Sequence, residues 1–219
     1  MKSLLEKYKS NRVIRALVQL VPLGIGGAVD VVLCETLEKI RRDRAMTFFD
    51  ELAAGDVILN ENLLKSEDFL HAFFSTAKFA LNSRRREKIR MFASLLKSSL
   101  TNMELKNIDE YEDYLHILDE LSYREILALS ILDRFSNRPR KKEWNDLQWL
   151  NTFWGEFEEA LTKEIDIPKG QISDYMNRIA RTGCYEILNV AIWGYKGGKG
   201  KLTPTYQKLK KYILKESLN

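Results

Sequence analysis

The chain has 219 residues, two cysteines, and 35 Lys and Arg against 31 Asp and Glu, for a formal charge of +4. That length buries a hydrophobic core without disulfides or a metal as staples, and Cys34 and Cys184 are too few and too far apart for a disulfide framework, which fits a reduced, cytoplasmic protein. No export signal stands out, and the early apolar stretch Val13 to Cys34 carries Arg15, Gln19, Pro22 and Asp30, so no membrane-spanning helix of about 20 residues is expected.

The charge is unevenly spread. Basic against acidic side chains number about 18 to 13 over residues 1–107, about 7 to 14 over 108–165, and about 10 to 4 over 166–219. An acidic middle and a basic end bring two parts of the chain together or face different partners.

In chain order, residues 1–21 read as one basic amphipathic helix, with Leu4, Leu5, Tyr8, Val13, Leu17 and Leu20 on its apolar side. Pro22 and the glycines at 24, 26 and 27 break it, and a second helix runs from about Ala28 through Phe48, Phe49 and Leu52 to Gly55. Two readings of this helical hairpin stay open: an internal hairpin, or a surface in which residues 1–34 make a peripheral membrane contact or dock in a partner. Residues 56–65 read as an irregular connection. Ser66 caps a helix whose stripe is Leu70, Phe73, Phe74, Ala77 and Leu81, read as core rather than as a cofactor pocket.

Arg84, Arg85 and Arg86 then open a helix built on Ile89, Phe92, Leu95, Leu96 and Leu100. Three arginines at a helix start oppose its dipole, so helix stability does not explain them. They are candidates for contact with phosphate or an acidic protein face, against an internal pairing with the acidic segment 108–165. Residues 108–121 make an acidic helix with Tyr111, Leu115, Leu118 and Leu121 on one face. Ser122 and Glu125 have capping-box spacing at the start of a helix to Phe135. The loop Asn137 to Lys142 is basic and exposed, and Trp144, Leu147, Leu150, Phe153, Trp154, Phe157 and Leu161 trace a stripe on one long helix.

The C-terminal stretch is the most patterned. Ile172, Tyr175, Met176 and Ile179 are helically spaced before Gly183, where a helix end belongs. Residues 184–195 read as a strand, Lys196 to Gly200 as a hairpin turn, and Lys201 to Tyr206 as the returning strand. Thr203 and Pro204 start a closing helix buried through Tyr206, Leu209, Tyr212 and Ile213. A helix ending in glycine, a two-stranded hairpin closed by Leu202-Thr203 and a further helix resemble the winged-helix family, with the segment from Ser122 to Phe135 as its first helix. The expected fold is mainly α: an N-terminal helical bundle over 1–107, then over 108–219 an acidic helix, an aromatic helix and a winged-helix-like region with one β-hairpin.

The resemblance implies a DNA-binding site in which Gln171, Ser173, Asn177, Arg178 and Arg181 lie on the recognition helix and Lys196, Lys199 and Lys201 on the wing reach phosphates. Catalytic signals are thin. His71 and His116 are isolated on predicted helices, and neither cysteine has a histidine nearby in sequence. Gly194 to Gly200 lacks the lysine-hydroxyl ending of a phosphate-binding loop, and Asp109, Glu110, Glu112 and Asp113 read as a solvated helix face. No catalytic residue, cofactor or metal is expected.

The order Leu121-Ser122, Ile179 to Gly183 and Leu202-Thr203 also resembles the bacterial abortive-infection alpha-type family, which implies a phage-defence or stress role and carries no catalytic residue over. The expected function is a non-enzymatic interaction protein or accessory subunit with a protein partner. The alternative is a winged-helix DNA-binding regulator.

Overall fold

The computed structural model describes residues 6–8, 11–21, 31–54, 62–101, 107–188 and 198–213. Among the described residues the structure is mainly helical with one two-stranded antiparallel hairpin, and the chain divides into two compact units, Met1–Leu118 with Tyr212–Asn219, and Asp119–Lys211. Residues 108–118 of the acidic helix fall in the first of these units.

In the first unit, α1 (Arg12–Leu20) starts where the Asn11 side chain accepts from the Ile14 N–H at 3.0 Å. This corrects the single helix expected over 1–21: Tyr8 lies in a turn, and the Asn11 cap begins a new helix after it. The breaker at 22–27 lies outside the described residues. Val13, Ile14, Leu17 and Val18 are buried, whereas Leu20, expected on the same apolar side, is 45% exposed. Tyr8 donates to Asp50 Oδ1 at 2.5 Å and Lys7 pairs with the same carboxylate, which joins this segment to α2 (Val31–Ala53).

The core of this unit is aromatic. Ala45, Phe48, Phe49 and Leu52 of α2 face Phe69, Ala72, Phe73, Thr76, Ala77 and Ala80 of α3 (Glu67–Asn82). Phe48 and Phe49 meet edge-on at 5.4 Å, and Phe73 lies 6.3 Å from both. Each such ring is worth roughly 1.5–3 kcal/mol when fully buried. The buried stripe of α3 is rotated from the expected one: Phe74 is 43% exposed, and the small side chains Ala72, Thr76 and Ala80 face inward. Ser66 caps α3 through the Phe69 N–H, as its sequence position predicts.

The next helix, α4 (Arg86–Thr101), is buried on most of its circumference beyond Lys88, with Ile89, Met91, Phe92, Leu95 and Leu96 inside. Its serines satisfy themselves on nearby acceptors: Ser94 on Glu51, Ser98 on the Tyr212 carbonyl and Ser99 on the Leu96 carbonyl. Against α3 lies α5 (Ile108–Glu120), through the Tyr111–Thr76 hydroxyl pair and His116 edge-on to Phe79 at 5.6 Å.

The second unit is built around α6 (Tyr123–Ser136), buried on several sides through Ile126, Ala128, Leu129, Ile131, Leu132 and Phe135. The capping box is complete: Ser122 Oγ accepts from the Glu125 N–H at 3.2 Å and Glu125 Oε2 from the Ser122 N–H at 2.7 Å. The single long helix expected from Trp144 to Leu161 is two, α7 (Asp146–Asn151) and α8 (Trp154–Ile165). The chain leaves the helix at Phe153, with φ −134°. That break lets Trp149 meet Phe153 edge-on at 5.2 Å while Phe153 and Phe157 both contact the Phe135 ring.

A left-handed Asp166 ends α8, and a short 3-10 turn, Lys169–Gln171, leads into α9 (Ile172–Ala180). Gly183, with φ +71°, turns the chain into β1 (Tyr185–Ile187), which pairs antiparallel with β2 (Gly200–Leu202) in the register Tyr185 to Leu202 and Ile187 to Gly200. Residues 189–197, including the rest of the expected first strand and part of its turn, lie outside the described residues. Thr203 caps α10 (Pro204–Ile213) by accepting from the Tyr206 N–H, and its own hydroxyl donates to the Gly183 carbonyl at 2.6 Å.

Candidate binding surfaces

Ser83 closes α3 and Arg86 is the first residue of α4, so Arg84 and Arg85 form the link between them. All three arginines are exposed, and none makes an ion pair or side-chain hydrogen bond with a described residue, including the acidic segment 108–165. The task that cations usually perform at such a turn is already filled: Arg44 Nη1 donates to the Leu81 carbonyl in the last turn of α3 at 2.7 Å.

The arginines of α9 are placed differently. Glu125, 2% exposed, accepts from Arg178 Nε at 2.9 Å and Arg181 Nη1 at 3.1 Å on one oxygen and from the Ser122 N–H on the other. Arg181 also reaches the Arg178 and Glu120 carbonyls, and the Arg178 guanidinium lies 4.8 Å from the Tyr175 ring centre. Burial alone pushes the Glu125 carboxyl up, but the Arg181 hydrogen bond, the two Ser122 bonds and the Arg181 charge hold it below the ordinary glutamate range. These arginines therefore tie α9 to the start of α6.

Other residues of the expected recognition helix divide in the same way. Gln171 and Asn177 are exposed. Ser173 is partly covered by Gly198, where a Cβ would collide with its side chain. Lys196 lies outside the described residues. Lys199 donates to Asn151 Oδ1 at 2.6 Å and Lys201 to Asp146 Oδ2 at 2.9 Å. Asp146 accepts Arg140 Nη1 on its other oxygen at 2.8 Å. Hydrogen bonds from Lys201, then Arg140, pull the Asp146 carboxyl down, and the same bond raises the Lys201 ammonium, so both stay charged.

Sequence reasoning missed Glu125, Asp146 and Asn151 as partners. The capping-box spacing marks Glu125 for a local role only, and nothing near Asp146 or Asn151 in sequence points to a lysine on a distant strand. The basic loop at 137–142 was legible, but its meeting with β2 was not.

His71 pairs with Glu112 at 2.6 Å with both side chains substantially exposed. Cys184 is fully buried, and burial pushes its thiol up to about 11. A cavity of about 10 Å³ in the first unit, between Leu95, Ser99, Tyr111 and Tyr212, has room for about one water. Among the described residues no group of three or more His, Cys, Asp or Glu side chains could hold a metal ion, and no helix is long and apolar enough to cross a membrane.

Compared with protein-family models, curated proteins and solved structures, the chain matches none of them.

Proposed function

We propose that the protein is a non-enzymatic interaction protein, an accessory subunit whose first unit docks an acidic face of a protein partner through Arg84, Arg85 and Arg86. The observation that carries this reading is that three consecutive arginines stand exposed at the start of α4, without an ion pair among the described residues, where they oppose the helix dipole. Arginine forks suit carboxylates, and such a cluster speeds encounter with an oppositely charged surface. The resemblance to the abortive-infection alpha type is what supports bacterial phage defence or stress response as the setting of that assembly.

The test is purification of the full chain and its R84E/R85E/R86E variant from the native host. The expected result is a stoichiometric acidic protein that co-elutes with the wild type and is lost from the variant at an unchanged melting temperature. A partner retained by the folded variant would remove this surface from the reading.

A winged-helix DNA regulator is the second reading. In its favour, α9 runs into the hairpin and the hairpin into α10, with Gln171 and Asn177 exposed on α9. Against it, Arg178 and Arg181 are occupied by Glu125.

A further inference from the structure

In the first unit α2 and α4 pack side by side and run in the same direction, and the seam between them changes character along its length. Its C-terminal end is closed: Ser94 Oγ and Lys97 Nζ both donate to Glu51 Oε1, at 3.2 and 3.4 Å, and Lys97 also donates to the Ala54 carbonyl at 3.1 Å. Helical spacing puts Arg86 and Arg90 on the α4 face that carries Ser94 and Lys97, and Leu37, Ile40 and Arg44 on the α2 face that carries Glu51. Toward the start of both helices, cations therefore line one side of the seam and aliphatic side chains the other.

This second end is exposed. Phe48 and Phe49 meet Phe73 while Arg44 reaches the Leu81 carbonyl, so α2 runs antiparallel to α3 and its first turns extend past the end of that helix and the Arg84-Arg85 link. None of residues 35–44 is buried, although Ala45, Phe48, Phe49 and Leu52 of the same helix all are, and Ile40 is 39% exposed. Arg90, like Arg84, Arg85 and Arg86, is exposed and makes no ion pair or side-chain hydrogen bond with a described residue. The same holds for Asp43 and Glu87, the carboxylates beside these segments in sequence, so neither is paired with the arginines.

We infer that this end of the seam seats an acidic amphipathic helix of a protein partner, with its apolar edge on Leu37 and Ile40 and its carboxylates at Arg84, Arg85, Arg86 and Arg90. The inference rests on the docking role proposed for the arginine triplet and names what that triplet meets. Two exposed aliphatic side chains one turn apart match the i, i+3 or i+4 anchors of a second helix laid along α2. Arg86 and Arg90, also one turn apart, match a pair of glutamates of the same spacing on the adjoining edge of that helix, and guanidinium forks suit carboxylates. An acidic loop or tail without an apolar stripe would use the arginines and leave Leu37 and Ile40 in water.

The experiment is fluorescence anisotropy of two labelled synthetic peptides with the full chain. One has about three heptads with Leu at helical spacing and Glu on the adjoining edge, and the other has the same composition in an order that removes the stripe. The patterned peptide is expected to bind about tenfold tighter than the scrambled one, and to lose about tenfold in affinity in L37Q/I40Q and in R84E/R85E/R86E. K65E, a cation at the opposite end of α3, is expected to stay within about twofold of wild type. Circular dichroism melting establishes that each variant is folded, and I40Q alone, at a side chain already exposed, serves if L37Q disturbs α2. Absence of patterned-peptide binding at low salt, or an unchanged affinity in the folded Leu37 and Ile40 variants, would overturn the inference. If R84E/R85E/R86E loses both peptides equally while L37Q/I40Q keeps them, the arginine docking surface stands and the helix seat falls. If the patterned peptide binds and neither variant matters, both fall. Co-sedimentation with anionic vesicles that is lost in L37Q/I40Q would overturn the protein helix in favour of a lipid surface.

Discussion

Glu125 and Asp146 each hold two cations, but the first has 2% of its side chain exposed and the second 32%. Removing the cations from a buried carboxylate strands a charge in a poorly solvating interior, whereas a surface carboxylate is rehydrated. The two basic clusters therefore serve different ends. The arginines of α9 hold the second unit together, while the cations along α7 are oriented at its surface and remain accessible.

The largest expected effect tests the buried half of this contrast. Replacing Arg178 and Arg181 by Met leaves Glu125 unpaired inside the unit and is expected to cost about 3–5 kcal/mol in urea unfolding. A loss below about 1 kcal/mol would mean that the carboxylate is rehydrated and the contrast fails. The same pair has a pH signature. Because the folded Glu125 carboxyl lies below its ordinary range, its contribution is complete above the unfolded-state value and is lost as pH falls through the folded one. The stability gap between wild type and Glu125→Gln should therefore narrow as the solution is acidified through that range, and a constant gap would assign the effect to packing.

Gly200→Ala comes next, because a Cβ there would meet the Glu186 carbonyl and the Tyr185 ring at distances real Cβ atoms do not show. A loss of about 1–3 kcal/mol is expected by thermal melting. It would show whether the hairpin that presents Lys199 and Lys201 is rigid enough to matter. Asp146→Asn should cost only about 0–1 kcal/mol, since both its partners are more than a third exposed. A larger loss would make this surface cluster structural like the first. The smallest effect belongs to R84E/R85E/R86E, expected within about 0.5 kcal/mol of wild type or slightly stabilised, because carboxylates suit the start of α4. Marked destabilisation would show that the triplet serves the fold.

Much of the local structure is legible in the sequence. Ser66 and Ser122 announce their helices because a side-chain oxygen three residues from an orphan N–H is a purely local arrangement, and both caps form. Gly183 and the Thr203-Pro204 pair likewise mark their turns. The long aromatic helix misled for a complementary reason. Trp149, Phe153 and Phe157 suit helical spacing, but wrapping Phe135 required the chain to break at Phe153, and periodicity cannot register the shape of a ring packed from elsewhere. The rotation of α3 has the same origin: Ala72, Thr76 and Ala80 are small enough for close approach of neighbouring helices, which a count of apolar residues undervalues.

The amino-acid order alone settled the helical character, the C-terminal hairpin, and the caps that start and stop several elements, because those depend on contacts a few residues apart. Which cations are spent inside the molecule and which remain at its surface was decided by folding. Glu125 meets Arg178 and Arg181, and Asp146 meets Lys201, across more than fifty residues of chain in each case. Only the packed arrangement of helices and strands sets how deeply each carboxylate is buried, and that depth decides how tightly it keeps its cations.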